Sequence, residues 1–269
     1  VGVTPNRPDA LGHLGVARDV AALFGVEFSA PEPSAIARWS DESLEKLVSV
    51  ENLDLERCPH YGAAVVLDVI IAPSPAWLRW RLHKLGVRPI NNVVDITNLV
   101  LLGWGQPMHA FDLDRVRGGR VVVRRARNDE PFTTLDGVAR QLDADDLVIC
   151  DAEGPSALAG VMGGQDSEIK DSTKRVLLEC AYFTPRGIRR TSRRHTLGTE
   201  SSFRFERGVD WGAVPRVLEI ASGLMGELAG GAAVRGAIHA KGEDPTLPVV
   251  RLRSHRLNAL LGIDVPFGE

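Results

Sequence analysis

The sequence predicts an α+β fold, a mixed β-sheet module with packed helices in two interleaved layers. Three observations predict it. Short apolar runs of strand length crowd residues 120–182. Apolar residues recur at helical spacing in separate segments on either side of that stretch. The two kinds of segment do not alternate as regular βαβ units, which argues against a doubly wound sheet. With 269 residues, 44% of them hydrophobic, the chain can bury one sizeable core or two modest ones.

In order, Asp9 is the expected N-cap of a first helix carrying Leu11, Leu14, Ala17, Val20, Ala21 and Phe24 on one face, ended by Gly25. Prolines and small residues from Ala30 to about Ser40 read as a connector. Tyr61–Ile71 is the strongest strand pattern. Ser74-Pro75 then reads as N-cap and first residue of a short helix, with Trp77, Leu78, Leu82 and Leu85 inward and a stop at Gly86. Val93, Val94, Ile96, Leu99 and Val100 continue as another helix. Strands are expected at Val121–Val123, Phe132–Leu135, Leu147–Cys150, Ala157–Met162 and Val176–Tyr182. Thr184-Pro185 opens a further helix. A long one runs from about Trp211 to Leu228 and ends at Gly230-Gly231. Val249–Leu261 reads as strand then short helix.

Composition excludes more than it assigns. No apolar run approaches the roughly 18 residues of a membrane span, and no signal-peptide pattern opens the chain. Its first residues, Val-Gly-Val-Thr-Pro-Asn, read as the middle of something longer. Cys58, Cys150 and Cys180 are too few and too scattered for a disulfide framework or a zinc site, and fit reduced, chemically idle residues of the cytosol. The net charge of −3 advertises no nucleic-acid binding, so any such binding must come from a local cluster.

Four constellations could carry chemistry. In Gly105–Asp112 (GQPMHAFD), Pro107 fixes the backbone just before His109, a ligand contact or catalyst in one reading and a hydrogen-bonded structural residue in the other. In Leu158–Gly164 (LAGVMGG), the glycines let a ligand approach the backbone or simply make a tight turn; the lysine and hydroxyl of a P-loop are missing. Glu179, in VLLECA, shares a strand face with Leu177 by period-two alternation. It is either a buried carboxylate that must find donors or shift its pKa, or an edge residue facing water. Arg186, Arg189, Arg190, Arg193 and Arg194 form one helical face of a single sign, suited to phosphates or an acidic partner surface. No metal-ligand spacing, GxSxG, dinucleotide fingerprint or nucleophile–base pair is present.

Six runs in one order resemble the β subunit of bacterial phenylalanyl-tRNA synthetases: VTPNRPD at Val3, Cys58-Pro59 with Tyr61, INNVVDITN at Ile90, GQPMHAFD, LAGVMGG, and FERGVD at Phe205. The resemblance implies three parts. Residues 1–28 would end a preceding domain with a connecting helix, 29–245 would be a B3/B4 editing and tRNA-binding module, and 246–269 would begin the next domain. It also implies hydrolysis of tyrosine misattached to tRNA(Phe). His109, Asn98 and Thr199 would take catalytic positions, Glu179, Gly160, Ala159 and Ser201 would hold the substrate, and the five arginines would contact tRNA. Where the family reads Arg-Thr-Asp-Ala-Ser, this chain has Gly198-Thr199-Glu200-Ser201-Ser202, so Ser201 replaces a bare alanine wall and Gly198 removes a charge.

The implied partners are the tRNA(Phe) acceptor end and an α subunit in an α2β2 assembly in the cytoplasm, with no membrane. No cofactor is expected in this region; ATP and Mg2+ would serve the aminoacylation site of the α subunit. Two other readings stay open, a non-catalytic tRNA-binding scaffold of the synthetase and a free-standing domain of the same fold acting on another ligand.

Overall fold

The computed structural model describes residues 2–32, 35–165, 168–246 and 249–266. Its helices are α1 (His13–Phe24), α2 (Leu44–Leu47), α3 (Ala76–Lys84), α4 (Asn92–Trp104), α5 (Pro185–Arg194), α6 (Glu200–Phe205), α7 (Ala213–Ala229) and α8 (Ser254–Leu261). The early strands are β1 (Trp39–Ser40), β2 (Ser49–Asn52), β3 (His60–Leu67), β4 (Met108–Asp112), β5 (Arg120–Arg125) and β6 (Glu130–Thr133). They are followed by β7 (Ala139–Leu142), β8 (Leu147–Cys150), β9 (Pro155–Leu158), β10 (Met162–Gly163), β11 (Val176–Tyr182), β12 (Ala232–Val234) and β13 (Ile238–Lys241).

Two mixed sheets form the frame. The larger runs β1-β12-β3-β11-β4, with β13 also on β3; the second runs β10-β9-β8-β5-β2; β6 and β7 form a separate hairpin. β3 and β11 pair antiparallel along their whole length, from Val176 opposite Val66 to Tyr182 opposite His60. Both are buried on both faces, so side-chain alternation divides the core in two. Ala64, Val66, Val176, Leu178 and Cys180 pack under α4 and α7. Tyr61, Ala63, Val65, Leu177 and Ala181 face the second sheet with Val123, Val148 and Leu158. The mixed α+β expectation holds, and all three cysteines are free and buried.

Several local expectations are corrected. Asp9 lies inside a 3-10 turn (Pro8–Leu11), and α1 starts after Gly12, with Gly25 left-handed at its end as expected. Ser74 does not cap α3, which begins after Pro75; its hydroxyl donates instead to the buried Asp95 carboxylate. Leu78 and Leu82 of α3 are buried, but Trp77 and Leu85 are exposed, because α3 covers only a small satellite core with Leu99. Ala157–Met162 is not one strand: the chain turns at Ala159–Val161 between β9 and β10. Within the connector, Pro33 and Ser34 lie outside the described residues; the rest is without helix and leads into β1. At Val249–Arg253 no strand forms, since no neighbouring edge pairs with it and Val249, Val250 and Leu252 stay exposed; α8 follows as expected.

Asn92 ties three elements together. Its amide donates to the Ile70 and Leu228 carbonyls at 2.9 and 3.0 Å, and its oxygen accepts from the Ala72 N–H at 3.2 Å. Asn92→Ala strands those partners at once, and should lower unfolding free energy by about 2–4 kcal/mol. Chemical denaturation, read as a shift in midpoint at constant slope, checks this.

Candidate active site

Glu179 sits mid-strand on β11, paired with Ala63 of β3 on one side and His109 of β4 on the other. Alternation points its side chain, like that of Leu177, into the gap between the sheets, where it is only 6% exposed. There it lines a cavity of about 90 Å³ together with His109, Gly160, Met162, Ser201 and Phe205. Four residues singled out from sequence, His109, Gly160, Glu179 and Ser201, are thus brought together from β4, the β9–β10 turn, β11 and α6.

Burial dominates the electrostatics. It pushes the Glu179 carboxyl up to about 8, against a smaller opposing effect from the Tyr61 hydroxyl, which donates to its Oε2 at 3.4 Å. Near neutral pH Glu179 is therefore mostly a neutral acid, able both to donate and to accept. Burial also pulls His109 down to about 4, so its ring is neutral as well. The ring packs edge-on to Phe111, with centroids 4.4 Å apart, and over Gly163, where an added Cβ would come within 2.8 Å of it. His109 Nε2 is shut off from solvent and has no hydrogen-bond partner. An unpartnered buried nitrogen beside a neutral carboxyl suits a water or a substrate oxygen.

The remaining wall is the turn after β9. Gly160 takes φ 66°, and a Cβ there would press within about 3 Å of Phe183, Ile188 and Phe205, so the position requires glycine. Two hydroxyls at the start of α6 hold this turn: Thr199 Oγ1 donates to the Val161 carbonyl at 2.9 Å, and Ser201 Oγ to the Gly160 carbonyl at 3.1 Å. The hydroxyl that Ser201 adds is therefore engaged with the turn. Thr199 is also the N-cap of α6, in a reciprocal capping box with Ser202. It does not line the cavity and supports it from behind. Ala159 faces the other side of the turn, with Leu147, Ile188 and Thr191. Asn98 lies half-buried on α4, away from the cavity lining.

The arginine face of α5 divides. Arg194 pairs with Asp143, Asp145 and Asp146, and Arg190 with Asp145 at 3.6 Å. Asp146, fully buried, also accepts from Thr191 and meets His195 Nε2 at 2.6 Å. Part of the counter-charge sought for this face thus comes from the β7–β8 turn of the same chain. Arg186, Arg189 and Arg193 are exposed and have no ion-pair partner among the described residues.

Met162 and Phe205 lie within the LAGVMGG and FERGVD runs, but neither they nor Tyr61 stood out individually as a neighbour of the site. The motif around Cys58-Pro59 contained Tyr61, but only the β3–β11 register places its hydroxyl at Glu179. No group of three or more potential metal ligands occurs among the described residues, and no helix there is long and apolar enough to cross a membrane.

Residues 57–230 match the B3/4 domain family. Over 98% of its length the chain is 51% identical to the phenylalanine–tRNA ligase beta subunit of Anaeromyxobacter dehalogenans, covering 33% of that protein. It is 47% identical, over its whole length, to the beta subunit of Geobacter sulfurreducens, again covering 33%. The chain thus spans about a third of the length of these curated relatives. A crystal structure of an N-terminal fragment of the phenylalanyl-tRNA synthetase beta-subunit from Pyrococcus horikoshii aligns with 98% of this chain and 72% of its own, at 16% identity and a TM-score of 0.48. The family match takes in the cavity, the turn that walls it and the arginine helix, and by it the chain belongs to the B3/4 domain family.

Proposed function

We propose that this chain is the editing region of a phenylalanine–tRNA ligase β subunit and hydrolyses the ester of tyrosine mischarged to tRNA(Phe). The observation that carries this reading is Glu179, a buried carboxyl on the wall of a small cavity beside an unpartnered histidine nitrogen. A site that destroys tyrosyl but spares phenylalanyl ester cannot sieve by size, because tyrosine is the larger; it must demand the hydroxyl. A buried neutral carboxyl does so. It pairs with the phenol of tyrosine through the oxygen that Tyr61 does not engage, whereas phenylalanine would leave that oxygen dry and unpaired, at about 1–3 kcal/mol.

Hydrolysis itself needs a held water. Its oxygen attacks the ester carbonyl carbon, the bond from that carbon to the ribose oxygen breaks, and one water proton passes to the departing ribose oxygen, leaving a ribose hydroxyl and the free amino-acid carboxyl. Neutral His109, poised near 4, is a weak base, so its role is to accept from and orient that water or the terminal ribose. Among the residues lining the cavity no serine or cysteine is paired to a base, since Ser201 bonds the Gly160 carbonyl, so direct water attack is the simpler route. At about 90 Å³ the resting cavity is well below the roughly 300 Å³ of ordinary ligand pockets, so the substrate side chain enters as the walls give way. Met162, unbranched and adaptable, is the wall best suited to move.

In this reading Arg186, Arg189 and Arg193 steer the acceptor end by its phosphates. The α subunit supplies aminoacylation with ATP and Mg2+, and the assembly works in the cytoplasm.

The deciding measurement is the ratio of hydrolysis rates for tyrosyl- and phenylalanyl-tRNA(Phe) by the assembled synthetase. Glu179→Ala should collapse that ratio by about 10²-fold or more, while Glu179→Gln, which still donates and accepts, should keep part of it. No hydrolysis of either ester by the wild type would leave a tRNA-binding scaffold as the function. Stability should respond to the same carboxyl. Its folded value near 8 lies above the unfolded value near 4.5, so its contribution is fully present below about 4.5 and is lost as pH rises through 8. Melting of the wild type relative to Glu179→Gln should therefore worsen across that window. Finally, Arg189→Ala with Arg193→Ala should flatten the slope of log tRNA affinity against log salt by about 1.4–1.8; an unchanged slope would remove these arginines from phosphate contact.

A further inference from the structure

The exposed face of α3 carries chemistry that the cavity does not use. From Val69 to Val94 the chain contains no acidic residue, yet it holds Arg79, Arg81, His83, Lys84 and Arg88, all exposed. Arg79, Arg81, Lys84 and Arg88 have no ion-pair partner among the described residues. Between them stand two indoles, Trp80 at 62% and Trp77 at 47% exposure. Arg81 lies 5.7 Å from the Trp77 ring centroid and Lys84 5.5 Å from that of Trp80, so the cations are held beside the ring faces. Trp80 is also a wall shared by two clefts. One, of about 560 Å³, lies towards Arg79, His83 and Pro89; the other, of about 890 Å³, lies towards Trp104 and Leu224. Of the acidic groups around these clefts, Asp95 is buried and bonded to Ser74 and the Ile90 N–H, and Glu32 faces Arg216 at 3.6 Å. Glu227 stands on the far wall of the larger cleft.

We propose that the α3 face is a binding surface for single-stranded RNA, with unpaired bases stacked on Trp80 and Trp77 and the adjoining phosphates held by Arg79, Arg81, Lys84 and Arg88. Exposed indoles can stack only on bases freed from a duplex, so the aromatic part of the surface selects single strands while the cations supply sequence-independent affinity. Trp80 lines both clefts, and with Lys84 held over its ring a base stacked on the indole would carry its phosphate within reach of that cation. An amphipathic membrane anchor would leave its apolar stripe free for lipid; here Leu78 and Leu82 are spent on the core, and the exposed turns alternate indole and cation. An acidic polypeptide would satisfy the cations and leave the indoles unexplained.

The test measures binding of this chain to a fluorescently labelled, unstructured 12-nucleotide RNA, to an RNA duplex of the same length and to polyglutamate. The single strand should bind most tightly. Trp80→Ala should weaken it by about 10-fold with little change in salt slope, and Trp80→Phe should restore most of the loss. Arg79→Ala with Arg81→Ala should instead flatten the slope by about 1.4. Equal binding of duplex or polyglutamate, or an unchanged affinity in Trp80→Ala, would overturn the proposal. Trp80→Ala, outside the cavity, should leave the ratio of tyrosyl- to phenylalanyl-ester hydrolysis by the assembled synthetase unchanged, so failure of the hydrolytic reading and failure of this surface are told apart.

Discussion

β11 is buried on both faces between β3 and β4, and its alternation sends Val176, Leu178 and Cys180 under the helices while Leu177, Glu179 and Ala181 face the second sheet. The candidate site depends on that arrangement. A one-residue slip in the pairing of β11 would exchange the two sets, putting leucine in the cavity and a carboxyl under α7. The pairing is held over seven residues on one side and five on the other. Gly62 locks it further, because a side chain there would press within 3 Å of Val214, Leu218 and the Cys180 carbonyl.

Desolvation then shapes the chemistry. The same burial that raises Glu179 lowers His109, so both groups facing the cavity lose their charge near neutral pH. Two neutral groups avoid the cost of an unpaired buried ion and keep hydrogen-bonding capacity for a ligand. Tyr61, whose hydroxyl already approaches Glu179, bonds one carboxyl oxygen and leaves the other for the cavity.

The arginines of α5 show how one motif serves two ends. Five like charges on a short helix repel, and the turn carrying Asp143, Asp145 and Asp146 relieves part of that repulsion through Arg190 and Arg194. The same contacts fasten α5 to the second sheet, behind the turn that carries Gly160. What remains exposed is a smaller and more directed positive patch than the bare spacing suggests.

The sequence by itself determined the fold class and most strands and helices, and its patterns singled out His109, Glu179 and the run that holds Gly160, while Ser201 came only from the family resemblance. Periodicity reports which residues share a face, but it left Glu179 open between a buried carboxylate and an edge residue facing water, and the pairing of β11 on both sides decided for burial. It did not reveal that Thr199 supports the cavity from behind, that Asn98 lies outside its lining, or that Tyr61 reaches Glu179. Nor did it show that Trp77 and Leu85 stay in solvent, that Ala159–Val161 interrupts a strand, or that no strand forms at Val249–Arg253. Those outcomes were decided between segments distant in sequence: a strand needs a free edge, a carboxyl needs a donor, and an arginine needs a nearby acid. Local pattern fixes which face of an element is apolar; only the packed chain decides what stands opposite it.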